Sequence, residues 1–589
     1  METVLMEKLN IFLNKYNNMK EIVNTTSKTI NEFISSYLKP SDRVAIWGAG
    51  EHTQNLLKFI NVDTLNVVCF IDKSNEKINT NINGRVVINP QNIESYSIDS
   101  IIISSYEFRS EIRQDVQELD LDIKIIDLYE KYDFGYPIFH KYLYSNATLY
   151  ADAIASIYEL VKSEEYFLDE KIEQEVQSVN REMRMDTKAY RNIKLTFDEE
   201  ALKQIVKEKN FNKKVKVDFF VQFPQGWTSL ESVWKSFNED NRFSTRIIQV
   251  PFIHANRDNS NDDISQFLCN KNIPFISWYL YDIDVEKPDI VFYQNPYDSS
   301  RPYEFSTKEV IKKTRVAYIP YSLEIAGGVN IKMQFNLFLQ NNAWLVFARS
   351  NRHKDMFKKY SSNKGENVTV VGHPKIDCIF NLPSFNIDNH MLKITEGKKV
   401  FFWNPHFGVK GDIGWSTFNK WQDKILDIFE NKKEIFLIIR PHPLLLQAIK
   451  EDSEIIPGIV RFKDRIRKMN NVFFDTNFDY RHSFATSDAL ISDASSFLLE
   501  YLPTFKPILY LPNYDGPGLN DDGDIVEHLY VADKSEDIEK FVDMVIADLD
   551  YMKESRTSKI EEYLYSFDGK VGERIKEAVL NKYITETKG

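Results

Sequence analysis

The sequence predicts an α/β protein built from parallel, doubly wound sheets, and three observations predict it. Short, almost wholly apolar runs recur along the chain: RVAIW at 43–47, VDFFV at 217–221, VFFW at 400–403 and IFLII at 435–439. Such runs are typical of strands buried on both faces. Each is followed by a turn and a segment of helical spacing, and strand alternating with helix implies parallel strands joined by crossovers. The residues just past the strands are Gly, Pro, Arg, His and Ser, placed where open α/β sheets bind their ligands.

At 589 residues the chain exceeds a single core and divides into several domains. An apolar content of 43% with 13% aromatics suffices for packed interiors and excludes wholesale disorder. The net charge of -13 argues against a nucleic-acid partner and against strong attraction to anionic lipid. The one notable basic cluster, KEKNFNKKVK at 207–216, reads as a solvated helix end and linker. Cys69, Cys269 and Cys378 lie far apart and read as reduced core residues. The histidines show no metal-ligand spacing, Asp282-Ile283-Asp284 reads as a loop, and Asp515 to Asp524 lacks the regularity of a calcium loop. With no run approaching the length of a membrane span and no secretory leader, the expected location is cytoplasmic, at most peripheral at the inner face of the cell membrane.

Taken in order, residues 1–40 carry helical spacing and stop at Lys39-Pro40-Ser41-Asp42. Residues 41–130 read as a small Rossmann-like domain. A strand feeds Gly48-Ala49-Gly50 and an amphipathic helix, and a second strand, Val67 to Ile71, ends at Asp72. That acid stands about twenty residues past the glycines, as a ribose clamp requires. Thr53 replaces the third glycine. Gly48, Gly50 and Asp72 are therefore candidate nucleotide contacts, with a structural or docking role as the alternative. WGAGEHT, the FID at 70–72 and the IIISS strand resemble the Rossmann-like modules appended to sugar-modifying methyltransferases and polysaccharide enzymes. Residues 131–213 are polar, Glu-rich and helical in spacing, with an aromatic cluster from Tyr132 to Tyr144, and read as a helical connector.

A first doubly wound domain is expected over 214–370, and a second over 371–589. In the second, IFLII stops at Arg440-Pro441-His442-Pro443, where two prolines end regular pairing. Ala489-Leu490-Ile491 is a further strand, Ser492 to Ser496 a turn, and Phe497 to Leu502 a helix. Ser495 and Ser496 would then stand at a helix N-terminus, a receptor for phosphate. Two strand ends presenting Arg, His and a Ser-Ser helix start imply a diphosphate site. Two such domains in series, with phosphate signals in the second, form a GT-B arrangement.

Four blocks carry a family resemblance: GHPKID at 372–377, WNPHF at 403–407, IIRPHP at 438–443, and SDASSFLLEYL at 492–502 followed by KPILYL. In order and spacing they resemble the CDP-glycerol glycerophosphotransferases of teichoic-acid synthesis, over about residues 215–580. The resemblance implies a transferase that moves a CDP-activated polyol phosphate onto a hydroxyl of a polysaccharide or lipid-linked acceptor and releases CMP, with no cofactor beyond the donor itself. It makes His442 a catalytic group at the donor diphosphate, and Arg440, Ser495, Ser496, Lys375, His373 and Asn404 donor contacts. For Arg440 an inter-domain ion pair is the alternative, and for Lys375 surface charge. Asp493 is counted with the donor site, although a carboxylate beside a diphosphate suits a turn-holding role better.

Where the family carries an arginine block, this chain has His406-Phe407, so His406 serves as a cationic contact only if protonated. The family's Trp-His-Gly block is missing. Tyr321-Ser322-Leu323-Glu324-Ile325-Ala326-Gly327-Gly328 stands there instead, so either Glu324 is the base or the acceptor chemistry differs. Trp227, Trp234 and Trp278 are candidates to stack an acceptor sugar, with core packing the commoner use. Two other readings stay open: a nucleotide-sugar glycosyltransferase of capsule synthesis, and a non-catalytic capsule-assembly scaffold.

Overall fold

A computed structural model describes residues 2–588, except 75–76, 106–108, 120, 131–141, 164–167, 169, 184–197, 199–200, 202–213, 254–261, 409–413, 431, 451–455 and 457. Most of the aromatic cluster at 132–144 and much of the expected connector therefore lie outside the described residues, as do positions 207–213 of the basic cluster. The chain forms two compact units, one mainly from residues 1–202 and the other from most of 203–589.

The first unit holds a six-stranded sheet: β1 (Val44–Trp47), β2 (Val67–Ile71), β3 (Asn81–Ile82), β4 (Arg85–Ile88), β5 (Ser100–Ile103) and β6 (Lys124–Asp127). Their order is 3-4-2-1-5-6, with the short β3–β4 pair antiparallel and the rest parallel. β1 and β5 are buried along their whole length, as their apolar composition demands. The N-terminal helix Glu2–Tyr37 packs against helix Tyr142–Ser163, with the Phe12 and Tyr150 rings 5.9 Å apart.

The second unit contains two wholly parallel sheets. One is seven-stranded, from β7 (Val215–Val221), β8 (Phe243–Gln249), β9 (Ile276–Ser277), β10 (Ile290–Tyr293), β11 (Arg315–Tyr318), β12 (Leu345–Ala348) and β13 (Val368–Val370), ordered 13-12-11-10-7-8-9. The other is six-stranded, from β14 (Lys399–Asn404), β15 (Ile435–Ile439), β16 (Val472–Phe474), β17 (Ala489–Ser492), β18 (Ile508–Tyr510) and β19 (Tyr530–Val531), ordered 16-15-14-17-18-19. All five residues of β15 are buried, each contributing about 1.5–3 kcal/mol of apolar burial.

In all three sheets the chain winds outward one way, then returns to wind the other way. Strand order reverses between β1 and β5, between β7 and β10, and between β14 and β17. Outside the carboxyl ends of such a strand pair the connections diverge and leave a crevice.

The last helix, Val571–Lys588, packs on helix Glu231–Asn238 of the first doubly wound domain and on helix Pro374–Phe380 of the second. Asp377, from the GHPKID block, fixes its start: its carboxylate accepts the N–H groups of Val571 (3.0 Å) and Gly572 (2.9 Å). Further along, the Tyr583 hydroxyl donates to Asp289 and Arg315 pairs with Glu586. Trp227 and Trp278 are fully buried core residues rather than a stacking surface. Asp282 caps the short helix Ile283–Glu286 and Asp284 pairs with Lys313, which accounts for the Asp-x-Asp pair.

Candidate functional site

At the β14/β17 reversal one amide ties three strand ends together. Asn404 donates through Nδ2 to the Arg440 carbonyl (2.8 Å), and its Oδ1 accepts the Ser495 hydroxyl (2.6 Å). The Ser492 hydroxyl donates to the Asn404 carbonyl (3.1 Å). Asn404 thus positions the edge, while its own side chain is taken up by protein partners. The His442 N–H donates to the Pro405 carbonyl (3.0 Å), pinning the RPHP turn to the NPHF turn.

Two imidazoles meet at this edge. His442 is half-buried, and its Nδ1 accepts the Leu444 N–H (3.2 Å) at the start of helix Pro443–Lys450. That bond makes Nδ1 the acceptor and leaves Nε2 as the proton-bearing atom of the neutral ring. The ring centre lies 4.5 Å from Phe407 and 5.3 Å from His406. His406 stacks on Phe407 and meets Trp415 edge-on, with Nδ1 accepting the Gly408 N–H. Burial lowers its pKa to about 3, so the cationic phosphate contact considered for His406 is replaced by a neutral imidazole.

The other candidates are already engaged. Arg440 pairs with the buried Asp475 (2.8 Å) and donates to the Phe478 carbonyl, an ion pair inside this domain. Lys375 is buried against Glu500 (2.9 Å). His373 caps helix Pro374–Phe380 through Nδ1, while its Nε2 lies 2.6 Å from the Pro320 carbonyl. Burial pushes its pKa down to about 3, so the structure gives His373 and Lys375 packing roles at the junction of the two domains. Asp493 accepts the N–H groups of His406 (2.8 Å) and Thr417 (2.9 Å). It holds the loop after β14, and burial pushes its carboxyl up to about 7.

The expected helix after Ser496 is shorter than the sequence suggests. It spans only Phe497–Glu500, and a 3₁₀ turn follows. The Ser495 N–H bonds to the Asp493 carbonyl and the Phe497 N–H to the Ser495 hydroxyl, so this tight turn satisfies much of its own backbone. Ser495 and Ser496 remain half-buried at the edge.

Glu324 lies on a loop that leaves the first doubly wound domain for the second. Past β11 the chain crosses over, and Leu323 and Ile325 enter the core of the second domain. Ala326 bridges Leu519, and the Gly327 N–H donates to the Gly518 carbonyl (2.9 Å). The two glycines are needed here. A Cβ on Gly327 would lie 2.6 Å from the Leu519 carbonyl oxygen, and Gly328 has φ +63 and would place a Cβ 2.5 Å from Pro517 Cβ. Ala326 packs with Trp415 and Ala494, next to His406 and Ser495. The Glu324 carboxyl accepts from Asn330 (3.1 Å), and burial raises it to about 7 despite the hydrogen bonds from Tyr321 and Asn330. That value suits a general base near neutral pH.

Sequence reasoning missed the side chains around it. Phe223, Tyr297 and Tyr321 follow β7, β10 and β11, and the signal was there in VQFP, YQNP and YIPY, where a proline adjoins an aromatic at each strand end. It also missed Asp475, Glu500 and Asp522, the last of which pairs with the buried Arg349.

At the β1/β5 reversal of the first unit the space is filled by protein. The Ser104 hydroxyl donates to the Trp47 carbonyl (2.9 Å) and lies 2.7 Å from Thr53 Oγ1, and a Cβ on Gly48 would lie 2.5 Å from Ser104 Oγ. Asp72 accepts the Ala49 and Ser74 N–H groups (both 2.9 Å) and the Lys77 ammonium (3.0 Å). The structure thus assigns Gly48 and Asp72 to holding this turn. Gly50 begins a helix of only six residues, with Lys77 Nζ over it.

Two doubly wound parallel sheets, with polar strand ends meeting at one reversal and the loop that carries Glu324 crossing from the other, form the two-domain architecture expected of a GT-B arrangement. Residues 328–581 match the family described as CDP-glycerol:poly(glycerophosphate) glycerophosphotransferase. Residues 40–126 match the C2185-like N-terminal family. No curated protein matches the chain. Among solved structures, the wall teichoic acid polymerase TagF is 13% identical with a TM-score of 0.41, covering 74% of this chain and 98% of that one. MnaA of S. aureus in its UDP co-structure is 13% identical with a TM-score of 0.45, covering 63% and 97%. The UDP-GlcNAc 2-epimerase of Neisseria meningitidis bound to UDP-GlcNAc is 14% identical with a TM-score of 0.45, covering 62% and 100%.

Proposed function

We propose that this protein transfers glycerol phosphate, or a closely similar polyol phosphate, from its CDP-activated form to a hydroxyl of a cell-surface polysaccharide or teichoic-acid-like acceptor. The observation that carries this reading is the meeting of His442, Ser495 and Asn404 at the β14/β17 reversal, inside the segment that matches the glycerophosphotransferase family. The acceptor oxygen attacks the β-phosphorus and forms the new O–P bond. The bond from that phosphorus to the bridging oxygen breaks, its electron pair leaves with CMP, and the hydroxyl proton passes to Glu324. His442, donating through Nε2, and the Ser495-Ser496 turn stabilise the charge that develops on the diphosphate.

Arg440, matched by Asp475, holds the β15–β16 edge in place. The donor is already activated, so the step needs no cofactor. A polysaccharide or lipid-linked acceptor would place the enzyme at the inner face of the cell membrane. Among the described residues no helix is long and apolar enough to cross a membrane.

The test is a calorimetric and thermal-shift comparison of CDP, CMP, UDP and GDP on the wild type and on His442→Ala. A ligand that binds the native state alone raises the apparent melting temperature. Selective CDP binding that is lost in His442→Ala supports the proposal. Preference for UDP or GDP would replace it with glycosyl transfer, and binding of none of the four would leave a scaffold.

A further inference from the structure

The β7/β10 reversal carries a second surface that the reaction above leaves without an occupant. Three half-buried aromatic rings line it, one from each of three adjacent strand ends. Phe223 follows β7, Tyr297 follows β10 and Tyr321 follows β11. Tyr321 lies edge-on to Phe223 at 6.2 Å and to Tyr297 at 6.0 Å, and the two phenol oxygens are 3.2 Å apart. The rings are held from beneath. Gln294 accepts the N–H groups of Gln222 (2.8 Å) and Phe223 (3.0 Å) and donates to the Phe223 carbonyl (2.8 Å), while the Ser229 hydroxyl reaches the Tyr321 carbonyl. Such a wall is rigid before any ligand arrives. Glu324 stands three residues beyond Tyr321 on the same loop.

The charge around the wall is as informative as its shape. Arg349 and Lys375 act electrostatically on Glu324, and each is matched to a buried carboxylate, Asp522 and Glu500. A growing polyanion would find phenols, an aromatic edge and a carboxyl group here, with the two nearest cations already held by carboxylates. A neutral sugar suits it better. Its C–H face packs on aromatic rings, and its hydroxyls pair with phenol and carboxyl oxygens, the mixture of apolar lining and few convergent polar groups typical of small-ligand sites.

We infer that the acceptor hydroxyl belongs to an uncharged sugar residue seated on Phe223, Tyr297 and Tyr321, rather than to a poly(glycerol phosphate) chain. The inference rests on the glycerophosphotransferase reading and names the acceptor class of that site. On it, the enzyme joins a phosphate-linked substituent to a neutral glycan, and a glycosyl-transfer reaction must supply the acceptor.

The full chain, CDP-glycerol and two acceptors of similar length test it: a neutral oligosaccharide and an oligo(glycerol phosphate). Products are read by mass spectrometry, and acceptor contact by saturation-transfer NMR. The expected result is modification of the neutral sugar, with its KM raised about tenfold or more in Tyr321→Ala and Tyr297→Phe while KM for CDP-glycerol moves less than about twofold. CDP-binding calorimetry on each variant shows that it is folded. Preference for oligo(glycerol phosphate), or absence of any NMR contact to the neutral sugar in a protein that binds CDP, overturns the inference alone. Failure to bind CDP or to release CMP with either acceptor overturns the underlying reading instead.

Discussion

Replacing Asp493 separates a loop-holding carboxylate from a ligand contact. Its two oxygens take the backbone N–H groups of His406 and Thr417 at 2.8 and 2.9 Å, and the side chain is 1% exposed. In Asp493→Ala both donors lose their partner in a site that excludes water. Each unsatisfied group costs about 1–3 kcal/mol, so the expected loss is about 2–6 kcal/mol. Asp493→Asn keeps one carbonyl acceptor but turns an NH2 toward the second donor, so about half of that loss is expected. Urea denaturation followed by tryptophan fluorescence measures it, with Trp403 and Trp415 nearby as reporters. CDP affinity of the folded Asp493→Asn protein should stay within about threefold, because the carboxylate faces the loop. The reasoning is refuted if Asp493→Asn unfolds within about 0.5 kcal/mol of the wild type yet no longer binds CDP.

Glu324→Gln should lower kcat by about 10²–10⁴-fold, with CDP affinity retained. Its carboxyl is raised from 4.5 to about 7 in the folded protein. Its contribution to stability is therefore present below about pH 4.5 and lost as pH rises through 7, so Glu324→Gln should gain up to about 3 kcal/mol on the wild type at pH 8 relative to pH 4, read from denaturation at both pH values. Lys375→Met leaves Glu500 buried without its partner and should destabilise by about 3–5 kcal/mol, while the double variant Lys375→Met/Glu500→Leu recovers most of that loss. Thermal denaturation of the three proteins checks this. His373, buried and neutral with its pKa lowered to about 3, contributes stability that is full above about pH 6.5 and lost as pH falls toward 3. His373→Gln, which keeps an acceptor for the helix cap, should flatten the acid limb of the stability curve.

IFLII, VFFW and VDFFV announced buried parallel strands, because an apolar run that short has few other stable uses. RPHP and DASS marked two strand ends that meet at the β14/β17 reversal, because two prolines or a serine turn end a strand and leave polar groups at its carboxyl end. The family blocks identified the enzyme class from the same residues. What a side chain faces was not legible. Arg440, Lys375 and His406 look alike in a sequence, as cationic groups near phosphate signals. Whether each is free depends on Asp475, on Glu500 and on the Phe407–Trp415 pocket, which come from distant positions.

The sequence by itself determined which segments become strands, where each stops and which chemical groups stand at the stops, since these follow from local periodicity and backbone chemistry. The tertiary structure decided the order of the strands, and with it which stops meet at a reversal. It therefore also decided which charges are already matched by buried carboxylates and which rings form a wall beside Glu324. Those outcomes depend on contacts between residues far apart in the chain, and burial then sets the energy of each charge.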